Sequence, residues 1–449
     1  MQGLKKNKKQ IFLMKNNNKS YIKFSNLKTK KVIANFKGGT ITSNAGAFLL
    51  REIDKKIKLT KNIAKLLPDH RQKGKIKHTN LDMVRQRIYA LALGYEDLND
   101  HDYLRKDLAF QATIEKENVL ASSASLCRFE NKFNKKLSFD IHKEIINQFI
   151  KSFKKAPTKL VLDFDATDLP IYGKQENRHY HGYYKHNCFL PLHVFCGDKL
   201  LVSYLRPSNI DGAKHAWAIL SLLVKYFRKT WPNIKILFRA DSGFCRPKIL
   251  SWCEKYNVDF IIGIGANIRL KKLIEPLVDQ AKTKFETTRE KQQLFTNFYY
   301  SAKSWNNERR IIGKAEYNSK GDNKRFIITS LSDSSETVYK NVYCPRGNME
   351  NKIKEQFELF SYRTSCHKWW ANQLRMLLSG LAYILIENLR SIFLKETQFF
   401  NLQASTIRLK LFKIGAVVYK NTRKIMLNIS SSYPYQAVFE NLVRKLNSS

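Results

Sequence analysis

Acidic residues are scarce in this chain. Across 449 residues, 38 Asp and Glu stand against 80 Lys and Arg, giving a formal charge of +42. None occurs before Glu52, whereas eleven lysines do. Such a surplus points to a polyanionic partner, because each neutralised phosphate releases condensed counterions. A Lys-, Asn- and Ile-rich composition of the kind an AT-rich genome encodes accounts for part of the excess but not for its placement. Charge alone leaves open DNA or RNA, and whether chemistry follows. Cysteine is also sparse: seven residues, an odd number, with no Cys-x-x-Cys pair. That argues for a reducing compartment and against a disulfide framework or a four-thiolate zinc site. No apolar core with a following cleavage site opens the chain, so no secretory signal is expected. The longest apolar run, 376–386, is about half a membrane span and meets Glu387 and Arg390, so it reads as a buried helix. No internal repeat and no clear helix-turn-helix signature is present.

What is present suits a folded chain of two or three domains, 43% hydrophobic and 12% aromatic. Residues 1–31 are expected to form a basic flexible tail, and 32–156 a helical N-terminal DNA-binding domain. Met83, Val84, Ile88 and Leu91 share one helical face, as do Ile141, Ile145, Phe149 and Phe153. Between them lie Arg71, Lys73, Lys75, Lys77, Arg85 and Arg87, either a solvated face or a DNA-reading one. From Pro157 the pattern changes. Segment 159–165 reads as a strand with Leu160, Leu162 and Phe164 on one face and Val161, Asp163 and Asp165 on the other. Further strands are expected at 188–195, 200–205, 234–240 and 258–264, the second and third joined by a Gly197-Asp198 turn. Helices are expected at 213–229 and from Pro247 to about 257. Segment 268–335 reads as a strand-rich insertion, and helices resume near Asn348 and over 368–394. The expected fold class is α/β, a mixed sheet in the strand order of the ribonuclease H-like fold, occupying 157–397. A small strand and helix segment, 398–449, ends the chain.

Three acids sit where phosphoryl chemistry would want them. Asp165 lies near the end of the first strand, Asp241 just beyond the fourth, and Glu350 early on a later helix whose buried stripe is Met349, Ile353, Phe357 and Phe360. Two-metal catalysis needs carboxylates that converge on ions about 3.5–4 Å apart. Each acid alone has an ordinary reading, as turn-former, helix cap or surface ion pair. Asp163 competes with Asp165, since alternation puts both on one face.

At these residues the chain resembles a bacterial insertion-sequence transposase of the DDE class, in the IS-four-like superfamily and more narrowly the IS thirteen-eighty group. The resemblance runs from about 36 to 435. It rests on Leu162-Asp163-Phe164-Asp165-Ala166-Thr167-Asp168, Gly182-Tyr183-Tyr184, Leu205-Arg206-Pro207-Ser208-Asn209, Arg239-Ala240-Asp241-Ser242-Gly243-Phe244, Tyr343-Cys344-Pro345-Arg346-Gly347-Asn348-Met349-Glu350 and Ala371-Asn372-Gln373-Leu374-Arg375. It implies that Asp165, Asp241 and Glu350 are catalytic and hold two Mg²⁺ ions, with Mn²⁺ as a substitute. It implies that Tyr343 and Arg346 contact transposon-end phosphates. The superfamily's lysine seven residues after the glutamate is Phe357 here; Lys354 is the nearest basic residue for that DNA contact. Asp168 is expected to orient the loop that follows. The stretch 173–187, with His179, His181 and His186 among tyrosines, is either an aromatic loop over DNA or on the core, or a zinc site.

The expected function is cleavage at transposon ends and strand transfer into double-stranded target DNA, by a homodimer without a membrane partner, in the cytoplasm at the bacterial nucleoid. The rivals are a ribonuclease H-like nuclease without strand transfer, a domesticated DNA-binding protein and a basic RNA-binding scaffold. Metal-dependent nicking separates enzyme from binder, and joining of ends separates transposase from nuclease.

Overall fold

The computed structural model describes residues 21–448, so most of the expected basic tail lies outside the described residues. Its last part, from Tyr21, enters a short ribbon in which Ile22–Lys23 pairs antiparallel with Ile33–Ala34.

The N-terminal half is helical: α1 (Phe48–Ile57), α2 (Leu59–Leu66), α3 (Asn80–Ala92), α4 (Ser123–Glu130) and α5 (Lys135–Lys151) are its main elements. The start of α3 follows from local chemistry. Thr79 accepts from the Asp82 amide while the Asp82 carboxylate accepts from the Thr79 amide, a closed capping box. Arg85 and Arg87 on this helix do not face solvent. Arg85 pairs with Glu115 at 2.6 Å, and Arg87 with the buried Glu130 at 2.9 Å and with His101 at 3.0 Å. The sequence grouped them with the loop's basic residues because helical periodicity cannot see acids on neighbouring helices.

The second half is built on one eight-stranded mixed sheet. Its strands are β1 (Lys159–Ala166), β2 (Leu192–Cys196), β3 (Lys199–Tyr204), β4 (Lys235–Ala240), β5 (Asp259–Ile264), β6 (Gln292–Tyr300), β7 (Arg309–Asn318) and β8 (Gly321–Thr329). They lie in the order β6-β7-β8-β5-β4-β1-β2-β3. Only β1, β4 and β5 run parallel; every other neighbouring pair is antiparallel. The β2–β3 hairpin closes through Gly197, whose φ of +58° is a left-handed conformation that suits glycine. The strands of the insertion extend this same sheet beyond β5.

Two differences from the sequence reading have clear causes. The expected strand over 188–195 is split at Leu190-Pro191. His186–Phe189 joins a separate small sheet with Leu169–Pro170 and His179–His181, and only Leu192–Cys196 enters the main one. Proline has no N–H to continue a ladder. The segment read as strand-rich from 268 instead opens with a 21-residue helix, Ile268–Thr288. Pro276 lies inside it and reads as a break signal, yet Leu270, Ile274, Val278 and Ala281 form a buried stripe on one face.

Helices α6 (Ala216–Thr230), α7 (Pro247–Lys255) and α8 (Ile268–Thr288) cover one face of the sheet, where Leu160, Leu162, Phe164 and Phe238 meet Leu223, Phe227 and Ile274. The other face receives residues 338–346, then α9 (Gly347–Glu358) and α10 (Trp369–Asn388). α10 shares one core with the N-terminal helices and with α11 (Gln436–Ser448). The helix through Trp369–Phe393, close to the expected 368–394, is long and apolar enough to cross a bilayer. However, 83% of its most apolar window is buried inside the protein. Two short strands, Ala416–Lys420 and Ile425–Ile429, pair ahead of α11.

Candidate active site

Strand parity builds the site. In parallel register Arg239 of β4 lies opposite Asp163 of β1 and Ala240 opposite Phe164, so Asp165 and Asp241 emerge side by side at the carboxyl edge of paired strands. That edge is where α/β sheets open their ligand crevices. Asp241 also caps the turn that follows, accepting from the Gly243 amide at 2.8 Å. Glu350 arrives from far downstream in the first turn of α9, exposed, while Met349 and Ile353 bury the helix beneath it. The helix is held from behind: Glu355 pairs with the buried Arg390 at 3.0 Å, and Lys352 with Asp198 at 3.0 Å.

Arg346 stands among these acids. Its Nη1 is 3.9 Å from Asp165 Oδ2, and its Nη2 is 3.4 Å from Glu350 Oε1. Burial pushes the Asp165 carboxyl up to about 7; Arg346 opposes that rise, while Asp241 and Glu350 add to it. Asp241 and Glu350 are thus both within electrostatic reach of Asp165. Tyr343 lies beside Asp241 and Arg346, its phenol pushed up by burial. Its hydroxyl closes over Gly263 of β5. A Cβ there would stand 2.7 Å from Tyr343 Oη, 2.9 Å from the Ser242 amide nitrogen and 3.3 Å from the Asp241 carbonyl carbon. Gly263→Ala is therefore expected to shift the Asp241 turn and lower the cleavage rate by about 10²-fold, the cost of roughly 1 Å of misplacement. Single-turnover kinetics at wild-type rate would remove Gly263 from this account.

Asp163, the rival first acid, is already used. Arg239 forms two hydrogen bonds to its carboxylate, through Nε and, at 2.7 Å, through Nη2, and donates at 2.6 Å to the Val342 carbonyl. The pair ties β1, β4 and the segment leading to Arg346 together. Sequence reasoning missed both Arg239 and Gly263. The available signal was an arginine inside an otherwise apolar strand, two residues before an acid, which demands a buried partner.

Asp168 accepts from His186 Nε2 at 2.8 Å, closing the base of the small three-stranded sheet that follows β1. Tyr184, in the turn between the His179–His181 and His186–Phe189 strands, is pushed up to about 12 by burial first, then by Asp168 and Asp165, so this arm borders the first acid. Its His181 packs against the Tyr184 ring at 4.8 Å. Lys354 is exposed on α9 and forms no salt bridge among the described residues, while Phe357 packs on the core. Among the described residues no group of three or more His, Cys, Asp or Glu side chains is arranged to hold a metal ion. The donor set itself, three carboxylates without sulfur or imidazole, has the chemistry of a hard-cation site.

Residues 24–449 match the family described as transposase DDE domain group 1. The chain belongs to this family. It is a DDE transposase, an enzyme of DNA cleavage and strand transfer. Comparison with curated proteins gives no match. One solved structure that matches is the cryo-EM piggyBac transposase synaptic complex with hairpin DNA. It shares 13% identity with a TM-score of 0.39, over 90% of this chain and 81% of that one.

Proposed function

We propose that Asp165, Asp241 and Glu350 are the metal-holding triad of this transposase, acting on the ends of a bacterial insertion sequence in the cytoplasm. The observation that carries the reading is Asp165 beside Asp241 at one strand edge with Glu350 linked to them through Arg346, close enough that Asp165 is raised to about 7 by burial first, with Asp241 and Glu350 adding to the rise. Their oxygen-only chemistry suits Mg²⁺, with Mn²⁺ able to replace it, and two ions are the number that in-line phosphoryl transfer uses. When bound, the ions would supply Lewis-acid activation of the phosphodiester and of the attacking water or 3′ hydroxyl. Asp163 is left out because Arg239 satisfies both its oxygens. The order β3-β2-β1-β4-β5, with β2 antiparallel to both neighbours, supports a ribonuclease H-like sheet. The Tyr343, Arg346 and Glu350 spacing supports membership of the IS-four-like superfamily, within it the IS thirteen-eighty group.

The chain's own residues then divide the work. Arg346 balances Asp165 and Glu350, and its Nη1, buried without a hydrogen bond, is a donor suited to a phosphate oxygen of the transposon end. Tyr343 lies against the Asp241 turn, and Lys354, one turn beyond Glu350, adds positive charge along the same DNA strand. Hydrolysis at each end leaves a 3′ hydroxyl on the transposon strand. That oxygen attacks a target phosphodiester in line, forming a bond to phosphorus as the target's 3′ oxygen departs. Two ends must be held together, so the working assembly is a homodimer on double-stranded DNA.

The test uses the gene with its native flanking DNA as substrate. Purified wild type with Mg²⁺ should cut at two inverted repeats and join the released ends elsewhere, and both products should vanish in Glu350→Gln while DNA binding remains. Wild-type protein that binds this DNA yet leaves it intact in Mg²⁺ and in Mn²⁺ would sink the assignment.

A further inference from the structure

The loop 68–79, between α2 and α3, borders an open groove of about 760 Å³ whose far wall is α4 and the turn after it. The loop has a set shape. Arg71 grips Asp69 through two hydrogen bonds, at 2.7 and 2.6 Å, and donates at 2.9 Å to the His78 carbonyl. The same grip holds the Asp69 carboxyl down at about 2, so the groove's acid is fully ionised and already paired. Lys75 and Lys77 ride on the stapled loop, and Arg128 and Lys132 face them from the opposite wall. All four are exposed and none forms a salt bridge among the described residues, though Arg128 donates to Ser125 Oγ at 3.3 Å and Lys132 adds a smaller share to the lowering of Asp69. Arg85 and Arg87 nearby in the chain behave otherwise, each buried against its own acid. Cations left unpaired around a concavity, when neighbours of the same type have been neutralised internally, mark a surface built for an external anion. The floor is apolar, with Leu67, Met83, Phe129 and Leu137, and includes Leu374 of α10. α10 also bonds to the catalytic helix, Ser379 Oγ donating to the Gln356 carbonyl at 3.2 Å.

We propose that this groove grips the sugar–phosphate backbone of the transposon-end DNA, with Lys75, Lys77, Arg128 and Lys132 on phosphates. The proposal rests on the transposase reading above and adds the face that holds the end. Four unpaired cations on two facing walls suit a duplex backbone, and the apolar floor suits the deoxyribose edges between phosphates. Because α10 runs beneath both the groove and α9, an end seated here is held on the same packed unit as Glu350.

The experiment measures binding of a labelled terminal fragment, taken from the native flanking DNA, between 50 and 200 mM salt. It compares wild type with the triple variant Lys75→Ala, Lys77→Ala, Lys132→Ala and with its Lys→Arg counterpart. Each lost phosphate contact should flatten the log affinity against log salt slope by about 0.9, so the alanine variant should lose roughly 2–3 units of slope. Affinity should fall with it by about 10- to 100-fold, the arginine variant should bind as wild type, and all three should melt at the same temperature. Wild type that binds and cuts, beside an alanine variant with unchanged slope and affinity, would overturn the groove and leave the catalytic assignment standing. Wild type that binds no DNA would overturn both. An alanine variant that keeps its grip on DNA but releases polyglutamate would reassign the groove to an acidic protein.

Discussion

In metal-free buffer at pH 8, Asp165→Asn is expected to unfold at a higher temperature than wild type while losing cleavage by about 10³-fold or more. The first effect follows from the site's electrostatics. The Asp165 side chain is only 14% exposed, and its carboxyl is raised from 3.8 to about 7 by burial, with Asp241 and Glu350 adding to the rise. A group that binds its proton more tightly when folded stabilises the native state most at low pH. For Asp165 that contribution is complete below about pH 4, declines between 4 and 7, and has gone above 7. Above 7 the ionised carboxylate costs up to about 4 kcal/mol, roughly three pH units at 1.36 kcal/mol each. Asparagine removes the charge, so its advantage should appear above pH 7 and fade as the pH approaches 4. Added Mg²⁺ should reverse the order by stabilising wild type alone. The second effect rests on the role proposed for Asp165 as a metal ligand, which would supply several kcal/mol of transition-state stabilisation. Thermal melts at pH 4 and 8, with chelator and with Mg²⁺, check the first part. Equal melting temperatures at pH 8 in chelator would mean that Asp165 is not under the strain described.

Arg239→Met and Asp163→Ala should each destabilise the protein by about 3–5 kcal/mol, the cost of leaving one member of a buried ion pair alone. Asp163 is 3% exposed and Arg239 9%, so water cannot replace the missing partner. The double variant Asp163→Leu with Arg239→Met should recover most of that stability, since an apolar pair of similar volume leaves no charge stranded. It should not recover full activity. Arg239 also holds the Val342 carbonyl at 2.6 Å, just ahead of Tyr343 and Arg346, and methionine has no donor for it. Urea titration of the three variants with parallel cleavage assays separates the two roles. Single variants that each lose less than about 1 kcal/mol would show the pair to be dispensable.

Much of this molecule is written locally. The alternation Leu160, Leu162, Phe164 against Val161, Asp163, Asp165 made β1 legible, and the same period located β4 and β5 to within a residue or so. The succession of strands and helices from 159 to 264, Asp241 beyond a strand end and Glu350 early on a helix could all be read from neighbouring residues. So could the surplus of positive charge. Periodicity and capping act over a few residues, which is why one sequence carries them.

Partnership was decided by the tertiary structure. Parity puts Asp163 and Asp165 on one face; only the parallel register that sets Arg239 opposite Asp163 commits the first to an ion pair and leaves the second at the edge. Arg85 and Arg87 look like surface cations until α4 and the segment after Thr113 bring Glu130 and Glu115 against them. α8 persists through Pro276 because its stripe is buried on β7. Each outcome depends on a residue far away in the chain, and no local period encodes which distant group will share the low-dielectric interior.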